Sequence, residues 1–286
     1  MKICCLFDDV QSEPFPADLS VQKEWDSILY KHIYEGLLSR ESVPAERARL
    51  LAVASEDSSN WLNAIPVPDL GLKMDDQSLR LAVGLRLGSE MVVPHKCTCG
   101  QLVDPWARHG LSCKKAKGTQ PRHYAVNGLI KRAMAAAGMP ADLEPEGLCK
   151  NSMKQPDGVT LFPWSEGKHV VWDYTCHDTV CQSYVGGTSR EAGKAADEAE
   201  QAKNTTYNEL AAKFVVVPIA NETFGSWGTL SLHFIRPIGD RIVARTGNKR
   251  ATYDLLQNIS MTIQKGNIAS ILGTPPVRKH DELFNL

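Results

Sequence analysis

One stretch limits what this chain can fold into more than any other. VTLFPWSEGKHVVW, residues 159–172, holds two short apolar runs around a polar turn. Pro163 ends the first run, and Ser165–Gly167 supply turn chemistry. This reads as a β-hairpin. A turn centred near Ser165 sets Asp157 directly opposite Asp173, at the outer ends of the two strands. Opposed residues on antiparallel strands share a face, with Cβ atoms about 5 Å apart. A slip of one residue would send the two acids to opposite faces.

Two carboxylates that close repel each other unless a cation lies between them. Oxygen ligands favour Mg²⁺ or Mn²⁺, and such an ion can assist phosphodiester cleavage. The usual form of this arrangement has a lysine two residues after the second acid; Thr175 stands there instead. A lysine on the following helix can substitute, because its side chain is long. Lys194 and Lys203 are the candidates, and Glu200, Lys203 and Tyr207 fall on one helical face. A second reading fits the same spacing: Asp157 caps a turn, Asp173 ends a strand, and the lysines are solvated charges.

Around the hairpin, periodicity predicts further elements. Apolar residues recur at helical spacing from Val21, in Ile28, Leu29, Ile33 and Leu37. Helices are expected over 45–54 and 76–87, the latter capped by Asp75 or Asp76. Another spans 122–137, with Val126, Leu129, Ile130, Ala133, Met134 and Ala137 on one face, stopped by Gly138 and Pro140. A helix over 189–212 is expected to start at a capping box of Thr188 and Glu191. Ala192, Ala195, Ala199 and Ala202 give it a stripe of small residues. KFVVVPIA follows, with a buried strand over 214–219, and residues 236–275 read as helical. The order helix, strand, strand, helix, strand over 122–219 predicts an α/β core with a mixed sheet. The expected organisation is a loose leader over 1–20, a helical linker or support over 21–92, a cysteine–histidine element over 93–118, the α/β domain over 119–275 and a tail over 276–286.

The chain has 286 residues and a net charge of −1 from 32 basic and 33 acidic residues. Global charge therefore gives no argument for a nucleic-acid partner; any such argument is local. No apolar run is long enough to span a membrane. The opening MKICCLFDDVQSEPF lacks the long apolar stretch of a signal peptide, so a nuclear or cytoplasmic location is expected.

PHKCTCGQLVDPWARHGLSCKK contains Cys97, Cys99, His109 and Cys113. Three thiolates and an imidazole match a closed tetrahedral zinc site. Free cysteines near a turn are the other reading, since C-x-C is tighter than the usual C-x2-C; His95 is a reserve ligand. From Pro105 to Ala141 there are seven Lys or Arg and no acid: Arg108, Lys114, Lys115, Lys117, Arg122, Lys131 and Arg132. Such a patch fits either a phosphate-backbone footprint or a solvated basic face. Phe7–Asp9 and Met74–Asp76 lack a strand–turn–strand context and read as chance. Cys176 and His177 read as structural, and Trp61, Trp106, Trp164 and Trp172 as core.

In order, the chain presents the Cys-Cys-His-Cys element, an RH…N helix, EPEGL, PDGVTLFPW, WDYTCHDT and AEQAKNTTY. This resembles the C-terminal part of non-LTR retrotransposon polyproteins of the restriction-like-endonuclease group, over most of 58–275 and most specifically over 144–179. The resemblance implies a zinc knuckle followed by a PD-(D/E)xK nuclease that nicks target DNA. It implies that Asp157 and Asp173 bind the catalytic Mg²⁺ or Mn²⁺, with Glu144 an upstream acid. It also implies a lysine displaced to the next helix, at Lys203. DNA, or else RNA, would be the partner, contacted by Lys114, Lys115, Lys117 and Arg122. The reverse-transcriptase palm has no counterpart here, so the resemblance implies a fragment, a degenerate copy or a domesticated derivative, with a reverse transcriptase acting in trans or lying outside this chain. A second lysine expected near Tyr207 is missing.

Overall fold

A computed structural model of the chain describes residues 22–149 and 155–275. The leader over 1–20 and the tail over 276–286 lie outside the described residues.

The chain is mixed α/β. Helices α1 (Gln22–Arg40), α2 (Pro44–Ala54) and α3 (Asp76–Leu87) come first. Asp75 caps α3, its carboxylate accepting from the Ser78 amide at 2.8 Å. A two-stranded hairpin follows, β1 (His95–Lys96) with β2 (Leu102–Val103), then the single turn α4 (His109–Ser112) and the long α5 (Thr119–Ala136). The main sheet comprises β3 (Ala141–Leu143), β4 (Gly158–Thr160), β5 (His169–His177) and β6 (Phe214–Glu222), in that spatial order. The first three are antiparallel neighbours, and β5 and β6 run parallel. The crossover between β5 and β6 carries α6 (Val185–Thr188) and α7 (Lys194–Thr206). Helices α8 (Thr229–Thr246) and α9 (Ala251–Leu272) complete the described fold.

Strand alternation decides what each face of the sheet does. Val170, Trp172 and Tyr174 of β5 join Val217 and Ile219 of β6 in one core with α5, α8 and α9. Val171 points the other way, against Tyr207 and Leu210. Ala220 of β6 meets Ala196 and Ala199 of α7 on that same side. Side chains this small bring the helix axis close to the sheet. Asp173 has the parity of Val171 and therefore faces α7. The hairpin register pairs Gly158 with Trp172 and Val159 with Val171. One step outward the Asp157 amide donates to the Trp172 carbonyl at 2.8 Å, so Asp157 meets β5 next to Asp173. Gly158 is obligatory there: a Cβ would lie 2.1 Å from the Trp172 ring.

A second core joins regions that the sequence suggests are separate. Trp61, Leu81 and Leu85 from the helical region pack with Cys97, Val103 and Leu111 from the cysteine–histidine segment and with Met261, Ile268 and Ile271 of α9. Residues 52–92 thus share their core with the last described helix and are no detached linker.

The helix at 189–212 differs from expectation. No capping box forms at Thr188 and Glu191; the Thr188 hydroxyl instead donates to the Thr179 carbonyl at 2.6 Å. Gly193 turns with φ +80°, where a Cβ would meet the Trp227 carbonyl at 2.8 Å. That turn separates α6 from α7, so α7 starts at Lys194 and ends at Thr206. Ala192 precedes the helix, and the buried set is Ala195, Ala196 and Ala199. No helix among the described residues is long and apolar enough to cross a membrane.

Candidate active site and metal centre

A cleft of about 590 Å³ opens between the end of the hairpin, β5 and α7. Asp157, Asp173 and Lys203 all line it. Three separate elements deliver them: the residue before β4, the middle of β5 and the last turn of α7. Lys203 Nζ lies 2.6 Å from Asp173 Oδ1. The Tyr207 hydroxyl, just past the end of α7, lies 2.5 Å from Asp173 Oδ2 and 3.1 Å from the Gln155 carbonyl. Burial pushes the Asp173 carboxyl above the usual range, against the pull of Lys203 and Tyr207. The charge of Asp157 adds to the rise. Burial, then the Asp173 carboxylate, pushes the Tyr207 phenol well up, so it stays a donor.

Asp157 is held from two sides. Its Oδ2 accepts from the Tyr174 amide at 2.6 Å, which locks the carboxylate onto β5. His123 Nε2, from α5, approaches the same oxygen at 3.1 Å. A buried relay orients that ring. The Trp172 indole donates to Asn127 Oδ1 at 2.9 Å, which turns the Asn127 amide nitrogen toward His123 Nδ1 at 3.4 Å. Nδ1 therefore accepts, and the ring carries its proton on Nε2, aimed at Asp157. The hydrogen bond to Asp157 raises the His123 pKa in spite of burial. Sequence reasoning assigned no site role to His123, Asn127 or Gln155. The RH…N spacing was the available signal, since His123 and Asn127 stand four apart on one helix face.

The remaining candidates lie elsewhere. Glu144 is exposed and absent from the cleft lining; its backbone amide donates to the Asp157 carbonyl at 2.9 Å. Glu200 stands one turn before Lys203 but does not line the cleft. Its carboxylate accepts from the Leu230 and Ser231 amides at 3.0 and 2.8 Å and so caps α8. Gly228 makes room for it, since a Cβ there would sit 2.1 Å from Glu200 Oε1. Lys194 lies 3.8 Å from Glu191 and does not line the cleft. His177, expected to be structural, does line it, with Tyr184 and Glu198.

No family model matches this chain, and no curated protein matches it. Its chemistry must therefore be argued from the geometry.

Cys97, Cys99, His109 and Cys113 come together, with one ligand atom from each lying within 4.8 Å of the others. The cluster could hold a metal ion. Cys97 and Cys113 sulfurs lie 3.7 Å apart, and Cys99 Sγ is 3.1 Å from His109 Nε2. The β1–β2 turn, with Gly100 at φ +95°, brings Cys97 and Cys99 to one side, while α4 carries His109 and ends at Cys113. His95 is no part of the cluster: its ring meets the Val93 carbonyl at 2.8 Å and the Thr274 hydroxyl at 2.9 Å.

Lys114, Lys115 and Lys117 are exposed immediately after this cluster. Arg122 is not available to a partner. It is 4% exposed, and its guanidinium donates to Asn267 Oδ1 of α9 at 2.6 Å. Arg108 pairs with Glu46, and Lys131 lies 3.4 Å from Asp142. The basic run is thus shortened as a surface to its lysines 114–117 and Arg132.

Proposed function

We propose that this chain carries a metal-dependent DNA endonuclease domain with a PD-(D/E)xK, restriction-endonuclease-like core, akin to that of non-LTR retrotransposon polyproteins. The observation that carries the reading is the convergence of Asp157, Asp173 and Lys203 on one cleft, with Lys203 Nζ 2.6 Å from Asp173. A lysine two residues after the second acid is absent, and α7 supplies one from the side.

Asp157 and Asp173 would hold Mg²⁺ or Mn²⁺. The donor set fits a hard cation: two carboxylates on one face of a hairpin, one of them fixed by the Tyr174 amide. When bound, the ion supplies Lewis-acid stabilisation of charge on the phosphate. Lys203 orients the nucleophilic water and offers positive charge to the developing oxyanion. The Tyr207 hydroxyl fixes the second oxygen of Asp173. His123 keeps Asp157 oriented and holds a proton at Nε2. The Cys97, Cys99, His109, Cys113 set suits structural Zn²⁺, because three thiolates and one imidazole close a tetrahedron without an open position. Lys114, Lys115 and Lys117 place the DNA backbone beside that element. A nuclear or cytoplasmic location goes with this reading.

One observation favours a second reading, a nuclease-like fold that binds nucleic acid without cutting. Both oxygens of Asp173 are already engaged, by Lys203 and by Tyr207. A nicking assay on supercoiled plasmid separates the two. With Mg²⁺ or Mn²⁺, the wild-type chain should nick, Asp173→Ala should not, and Lys203→Met should be about 10²–10⁴-fold slower. Salt-sensitive binding with no nicking by any of the three would refute the endonuclease and leave the binding fold.

A further inference from the structure

The cleft is longer than a scissile phosphate requires. Asp173 and His177 lie on the same face of β5, four residues apart, which is about 13 Å along the strand. On the facing wall, Lys203 and Glu198 stand five residues apart on α7, about 7 Å along its axis. Ala199 and Ala202 line the cleft between them with small side chains. Stacked nucleotides rise only about 3.4 Å each along a strand. The space beyond Lys203 therefore reaches past the scissile phosphate to its neighbour.

The chemistry at that far end is wrong for a second phosphate. Glu198 puts a carboxylate there. Burial first, and the Lys203 charge second, lowers the His177 pKa, so its ring stays neutral and does not offset Glu198. The same end is right for a base. His177 and Tyr184 meet edge to face, with ring centroids 4.8 Å apart and planes at 79°. An unstacked base can lie on an aromatic surface of this kind. A carboxylate at its edge accepts from an exocyclic amine, as Glu and Asp do from cytosine.

Resting on the nuclease reading of the Asp157–Asp173 end, we infer that His177, Tyr184 and Glu198 form a subsite for one unstacked nucleobase bearing an exocyclic amine, next to the scissile phosphate. The preferred substrate is then DNA with an unpaired nucleotide beside the cut, because flipping a paired base costs unstacking and unpairing.

The test compares cleavage of two synthetic duplexes in Mn²⁺, one fully paired and one with a single mismatched cytosine beside the mapped nick site. Wild type should cut the mismatched duplex faster. Tyr184→Ala should lower that rate ratio about tenfold, Tyr184→Phe should preserve it, and Glu198→Ala, an exposed change, should also reduce it. The phenylalanine variant guards against mere misfolding. Equal rates on both duplexes, or a ratio untouched by Tyr184→Ala and Glu198→Ala, would overturn the subsite and leave the endonuclease standing. No cleavage of either duplex, with tighter binding of the mismatched one that Tyr184→Ala abolishes, would overturn the endonuclease and keep the base subsite.

Discussion

Glu222 ends β6 fully buried, and its Oε1 accepts from the Ala195 amide at 2.9 Å, in the first turn of α7. It thus anchors the helix that carries Lys203. Burial pushes its carboxyl from an ordinary 4.5 up to about 7, against the pull of the Ala195 and Ala196 amides and the Thr179 hydroxyl. The folded pKa lies above the unfolded one, so below 4.5 the group is protonated in both states and costs nothing. As pH rises through that value toward 7, the unfolded chain loses its proton first and stability falls. By pH 8 the deficit is about 3 kcal/mol, and at pH 5 it is under about 1 kcal/mol. Glu222→Gln removes the charge, while its amide oxygen can still accept from Ala195. Urea denaturation, followed by tryptophan fluorescence at pH 5 and pH 8, should find the variant more stable at pH 8 by up to about 3 kcal/mol and nearly matched to wild type at pH 5. Other titrating groups, Asp178 among them, are common to both proteins and cancel in the difference. A stability difference that does not change with pH, or a variant weaker at pH 8, would rule out a buried Glu222 carboxyl with a raised pKa.

Two further outcomes are expected. Asp157→Asn should lower the His123 pKa, because the hydrogen bond to Asp157 is the main cause of its rise; an imidazole titration by NMR that keeps its midpoint would break the assigned pair. Purified chain should carry one zinc, and its removal by a chelator should strip hydrogen-exchange protection from residues 95–113 while β5 and β6 keep theirs; unchanged protection would remove the metal from the fold.

The elements that sequence made legible are those whose determinants are local. Asp75 caps α3 because the cap and its Ser78 partner are three residues apart. The hairpin register was readable because its turn is local: a centre near Ser165 pairs Val159 with Val171, as the structure does. The C-x-C…H-x3-C set was readable from ligand type and spacing, and the structure gathers those four ligand atoms. What failed depends on partners far along the chain. Thr188 and Glu191 have the residues of a capping box, yet the chain must turn at Gly193 to clear Trp227, 34 positions on. Arg122 belongs by composition to a basic surface, but Asn267, 145 residues away, takes its guanidinium into the core.

The lysine shows where the boundary lies. Its helix and its position three residues after Glu200 were visible, and so was the reach of its side chain. That it meets Asp173 depends on how far α7 rolls on the sheet, and three contacts decide that roll. Ala196 and Ala199 seat the helix on Ala220. Glu222 holds its first turn. Glu200 is drawn to the start of α8, across a gap that only Gly228 leaves open. With Glu200 turned to α8, Lys203, one turn later, comes round to the cleft, and Tyr207 follows it onto the other oxygen of Asp173. The residue that sequence places beside Lys203 is thus the one that aims it, by tying α7 to the start of α8. On the proposed nuclease reading, tertiary capping contacts set the aim of α7 in place of the fixed two-residue spacing along β5.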